Sequence, residues 1–128
     1  MLDLPMAAAP SPKTSFDAEP AREPDAFDAL VREIGHDGAC EVRAVFWAET
    51  GARLRMFRDI AFAPHRARIE REAHSLKSAA QTFGYRRLSA LALRLEREAA
   101  TLAETEYGEL LQQMDAAYAA ALKQDLEG

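Results

Sequence analysis

Residues 64–102 read PHRARIEREAHSLKSAAQTFGYRRLSALALRLEREAATL, and the fold of the chain turns on them. Ile69, Ala73, Leu76, Ala80 and Phe83 recur at helical spacing, which predicts a helix over about residues 64–83 with one apolar line facing a core. Pro64 suits its first turn, where a missing N–H costs nothing. Gly84, inside Phe83-Gly84-Tyr85, suits the left-handed residue that ends many helices. A second apolar line follows at once, at Leu88, Leu91, Ala92, Leu95, Ala99 and Leu102, and predicts a helix opening near Arg86. So short a turn makes the two helices antiparallel neighbours.

The same periodicity extends in both directions. Downstream, Leu110, Leu111, Met114, Ala117, Tyr118, Ala121 and Leu122 predict a last helix over about 106–126. Upstream, a long helix is expected from about Ala39 to Phe62, with Val42, Val45, Phe46, Phe57 and Ile60 facing inward. Gly51 weakens its middle, and Cys40, Trp47, Leu54 and Ala61 give it a second stripe read as core contact with another neighbour. A short first helix, capped by Asp25 and carrying Phe27, Leu30, Val31 and Ile34, ends at Gly35 and the Asp37-Gly38 pair. Five of the six prolines fall within the first 24 residues, among Ala, Ser, Asp and Glu, so residues 1–24 read as a flexible tail and 25–128 as the folded domain. The fold class expected is all-α: an up-and-down antiparallel four-helix bundle with a short additional N-terminal helix.

Composition narrows the function. A chain of 128 residues is enough for one domain, and its formal charge of -5 argues against nucleic acid or anionic lipid as a partner. A single cysteine closes no internal disulfide, no secretory leader pattern is present, and no apolar run of membrane-spanning length occurs, which together point to the cytoplasm. His36, His65 and Cys40 fall on different elements without a ligand spacing, so no metal site is expected.

One polar residue stands out in the opening stretch. Leu76 and Phe83 lie about 160 to 180° around the helix from His74, so His74 points away from the core. Arg71, Lys77, Ser78 and Gln81 share its face, with Lys77 one turn on, where an ammonium reaches whatever sits on the imidazole. His74 comes ten residues before Gly84 and Glu96 twelve after it, so antiparallel pairing brings the two to a similar level. A carboxylate accepting from Nδ1–H fixes the tautomer and leaves Nε2 as a nucleophile, and a nearby lysine neutralises an anion placed on it. An imidazole carrying a phosphoryl group fits that set. The chain has no Gly-rich loop, Walker lysine or kinase signature, so the phosphoryl group must come from elsewhere.

Ala73-His74-Ser75-Leu76-Lys77-Ser78, then Phe83-Gly84, then Leu88 and Leu91 to Glu96, resembles the signature of histidine phosphotransfer (HPt) domains: His, two residues, Lys, a small residue and a downstream Gly. The resemblance implies a helical bundle whose exposed histidine takes a phosphoryl group from the aspartate of one response-regulator receiver domain and passes it to another. It assigns His74 as phosphoacceptor, Lys77 as the phosphate's neighbour, and Glu96 to the place of the Gln or Glu that orients the ring. The chain departs from the pattern with Ser78 where Gly is usual. It implies a phosphoryl carrier without kinase activity of its own and without a cofactor of its own, Mg²⁺ being supplied by the receiver. The partners implied are receiver domains, including that of a hybrid histidine kinase, and the bundle is expected to be monomeric.

Charge patterning agrees with such a partner. Between Arg53 and Arg97 the chain carries eleven Arg or Lys against Asp59, Glu70, Glu72 and Glu96, a basic zone suited to an acidic receiver pocket. Arg71, Ser78, Gln81 and an outward-facing Leu93 are the candidate docking residues. Two rival readings fit these residues less well. A dimerising histidine-kinase core would show His-Glu and a following proline, where this chain has His74-Ser75 and no proline after Pro64. A helical adaptor that binds a receiver or kinase without being phosphorylated would have no need for His74 and Lys77 together.

Overall fold

The computed structural model describes residues 25–127, so the tail expected over residues 1–24 lies outside the described residues. Five α-helices follow in order: α1 (Ala26–Ile34), α2 (His36–Asp59), α3 (Arg66–Thr82), α4 (Arg86–Glu98) and α5 (Glu104–Glu127), with a 3-10 turn, Ala63–His65, leading into α3. No strand occurs among the described residues. α2 packs on α3, α3 on α4, α4 on α5 and α5 back on α2, which closes a four-helix bundle, while α1 folds against α2.

The α3–α4 hairpin is the most regular part. Ile69, Ala73, Leu76 and Ala80 of α3 and Leu88, Leu91, Ala92 and Leu95 of α4 are all buried, so the apolar line of each helix lies in the core. Burial of each large side chain contributes roughly 1.5–3 kcal/mol relative to exposure. Gly84 ends α3 at φ 75°, a left-handed conformation that costs a side chain about 1–2 kcal/mol. Its N–H bonds to Gln81 O at 3.1 Å and that of Tyr85 to Ala80 O at 3.0 Å, satisfying two carbonyls that the helix end leaves open. At the other end of the hairpin the Arg66 guanidinium donates to Ala99 O at 2.8 Å and Leu102 O at 2.9 Å and lies over the Phe62 ring. It therefore ties the start of α3 to the chain leaving α4.

α2 and α5 are joined by polar ties near both ends of the pair. Trp47 Nε1 donates to Asp125 Oδ2 at 3.1 Å, Tyr118 OH to Trp47 O at 3.1 Å, and Arg58 pairs with Asp115 at 2.8 Å. Asp125 also accepts from Tyr85 OH, so the end of α5 is held to the aromatic corner formed by Phe46, Trp47 and Tyr85. Tyr107 OH donates to Phe57 O at 3.0 Å, and burial pushes its phenol up to about 12.

The N-terminal hairpin departs from the sequence expectation in several places. Val42 and Val45, expected to face inward, are 43% and 54% exposed. The buried line of α2 is Ala39, Phe46, Thr50, Leu54 and Phe57, and the two valines stand about 60° and 120° around the helix from it. Ile34 is exposed as well, and α1 buries none of its residues fully, although Leu30 packs against the core. Gly35 alone breaks the chain between α1 and α2; Asp37 and Gly38, expected to help end the first helix, lie in the first turn of α2. Asp25 makes no side-chain capping bond. Of the second stripe, Leu54 is buried, Cys40 and Trp47 are half-buried, and Ala61 is exposed because α2 has ended at Asp59.

Candidate functional site

His74 projects from the middle of α3, opposite the line that Ala73, Leu76 and Ala80 bury, and its side chain is 58% exposed. The turn at Gly84 sets α4 antiparallel beside it, and Glu96, on the flank of the stripe that contains Leu95, meets the ring. Glu96 Oε2 lies 2.7 Å from His74 Nδ1. Lys77 Nζ lies 2.9 Å from the other oxygen, Oε1, and 3.4 Å from Nδ1. The Lys77 and Glu96 side chains are only 19% and 23% exposed, so both are held against the helix pair while the ring stands out. The ammonium of Lys77 and then the imidazole of His74 hold the Glu96 carboxyl below its ordinary value of 4.5.

The chemistry of the ring follows from this geometry. A neutral imidazole has one N–H, and the short contact to a carboxylate places it on Nδ1. Nε2 is then the lone-pair nitrogen, directed away from Glu96 on a ring mostly open to solvent. The neighbouring Lys77 holds a positive charge beside the ring, 3.4 Å from Nδ1, with its ammonium anchored on Glu96. The arrangement suits a nucleophile for an incoming electrophile that carries negative charge.

The residues flanking this triad are placed less uniformly. Arg71, Ser78 and Gln81 are exposed on the same helix face as His74. Leu93, expected to face outward, is half-buried and lines a surface recess of about 450 Å³ with Glu70, Lys77, Glu96 and Arg97. The basic zone is partly used up in the fold: Arg53 pairs with Glu72, Arg58 with Asp115, Arg94 with Glu98, and Arg66 holds backbone carbonyls. Ser89, which the sequence does not single out, is buried and donates to Lys77 O at 3.2 Å. That bond fixes α4 to α3 at the level of Lys77. A small polar residue just past Leu88, at the edge of an apolar stripe, is the signal that marks such a stitch. Among the described residues no three His, Cys, Asp or Glu side chains gather closely enough to hold a metal ion. None of the helices among the described residues is long and apolar enough to cross a membrane.

Comparison with known proteins adds one match. The sequence model of the Hpt domain fits residues 41–127, well over half of the chain and all four helices of the bundle apart from the first turn of α2. No curated protein and no solved structure matches the chain.

Proposed function

From the premise that the chain belongs to the Hpt domain family, whose members carry out phosphotransfer in two-component signalling, we propose that His74 is its phosphoacceptor. The observation that carries this reading is the 2.7 Å contact of Nδ1 with Glu96 on a ring that is otherwise exposed. In the proposed reaction Nε2 attacks the phosphorus of an aspartyl phosphate in line with the leaving oxygen. Mg²⁺ held by the receiver's own carboxylates balances charge during the transfer. Lys77 neutralises the phosphoryl group on the ring, and Glu96 keeps the ring in the attacking tautomer. A second receiver then takes the phosphoryl group from His74.

The donor in this reading is the receiver of a hybrid histidine kinase, and the chain acts as a monomeric carrier in the cytoplasm without kinase activity of its own. Arg71, Ser78 and Gln81 stand beside His74 on the face that a receiver must cover, and Arg71 supports docking on an acidic pocket by charge. Leu93 contributes an apolar edge to the recess that Lys77 and Glu96 also line. Incubation with a receiver carrying radiolabelled phosphate tests the proposal. Acid-labile label should appear on the wild type and be absent from His74→Gln; equal labelling of the two would remove His74 from this role. Stable binding of receivers with no label on either protein would favour the adaptor reading.

A further inference from the structure

The acidic partner of His74 carries a full charge, and the ring itself feels that charge most once a phosphoryl group has arrived. A side-chain amide oxygen would accept the same hydrogen bond from Nδ1, so a resting, neutral ring hardly distinguishes Gln from Glu at position 96. A ring that has become a cation does. On the reading that His74 is the phosphoacceptor, we propose that Glu96 keeps the Nδ1 proton in place through phosphorylation, so that this chain carries its phosphoryl group on an imidazolium.

The Nε2 lone pair forms the N–P bond while the P–O bond to the donor aspartate breaks, and the aspartate leaves as a carboxylate with the bonding pair. Nδ1 keeps its proton, so the ring takes up one positive charge. Loss of that proton would leave a neutral phosphoimidazole, from which the ring departs only as imidazolate, a poor leaving group. With the proton held, the ring departs as neutral imidazole. The occupancy of Nδ1 therefore sets how readily His74 yields its phosphoryl group to the next aspartate, and to water.

Two helices meet at this ring, and their charged groups oppose one another. On α3 these are Glu70, Arg71 and Lys77; on α4 they are Glu96 and Arg97, while Arg94 and Glu98 pair on the side of α4 turned from α3. Lys77 Nζ, 3.4 Å from Nδ1, opposes a positive ring, because a protonated Nδ1 offers the ammonium no lone pair. Glu96 lies against both, with one oxygen on the ring and the other on the ammonium. The carboxylate is ionised throughout the neutral range, as its depressed pKa requires. Replacing it by an amide removes the counter-charge and leaves Lys77 facing the ring uncompensated.

The protein can be loaded without any receiver. Phosphoramidate transfers its phosphoryl group to Nε2 with departure of ammonia, and the ³¹P resonance of the product then reports the Nδ1 titration as pH is raised. The midpoint in Glu96→Gln should fall below that of the wild type by about one unit or more, the size expected for loss of one adjacent opposite charge. Its phosphohistidine should outlive the wild-type one about tenfold where both are mainly deprotonated, since one unit is a tenfold change in protonated fraction. Lys77→Met should move the midpoint the other way, which general loosening of the hairpin would not do. Coincident midpoints for wild type and Glu96→Gln would overturn the inference and leave the phosphoacceptor reading intact. Label on His74→Gln equal to that on the wild type would overturn the reading on which it rests.

Discussion

The α3–α4 hairpin and the α1–α2 hairpin are built from similar materials, and only one of them buries what its sequence offers. In α3–α4 both apolar lines are covered, the turn is fixed by Gly84 and two carbonyl bonds, and the open end is closed by Arg66. In α1–α2 the helices are joined at Gly35, α1 contributes no fully buried residue, and Ile34, Val42 and Val45 remain exposed. Rigidity is thus concentrated where a nitrogen must be aimed. His74 and Glu96 come from separate helices, so a shift of one helix along the other by a fraction of a turn would part them. Nothing comparable depends on the placement of Val42 or Val45.

Three substitutions test that contrast, in decreasing order of effect. Leu76→Ala removes a fully buried side chain one residue before Lys77 and should cost about 2–5 kcal/mol in urea unfolding. A cost below 1 kcal/mol would show that α3–α4 is no better packed than its neighbour. Thr50→Val acts on α2 with the opposite sign. The Thr50 hydroxyl is buried without a hydrogen-bond partner, so replacing it by a methyl of similar volume should raise stability by about 1–2 kcal/mol. A loss of stability in calorimetry would mean that the hydroxyl is satisfied after all. Val45→Ser, on the exposed flank of α2, should change unfolding free energy by less than about 0.5 kcal/mol. A larger loss would place Val45 in a contact that the folded bundle does not contain.

The same contrast explains what could be read from the sequence. The α3–α4 lines were legible because each has one apolar arc, a glycine at the turn and a polar face carrying His74, so the wheel leaves one orientation. Glu96 was legible for a related reason: counting from Gly84 in both directions fixes the level at which two antiparallel helices meet. α2 was not, since its apolar residues are spread over more than half the wheel. Phe46 and Leu54 face the core while Val42 and Val45 do not, and the choice is made by where α3 and α5 pack. Leu93 falls between the two cases, since a position expected to face outward is half-buried at the surface recess bounded by Lys77 and Arg97. The stitch from Ser89 to the Lys77 carbonyl required the backbones of both helices to be placed.

Trp47 gives the molecule one further property. It is the single tryptophan in the chain, and it contacts the rings of Phe46, Tyr85 and Tyr118 while its indole N–H is bonded to Asp125 near the end of α5. The fluorescence of the protein therefore originates at one corner, with two tyrosines placed to pass excitation to it. When the last helix leaves that corner, the indole loses the Asp125 carboxylate and the Tyr118 ring together, and emission moves to the red as water reaches the ring. The chain thus carries an intrinsic optical probe for undocking of α5, mounted on a helix pair other than the one that bears His74.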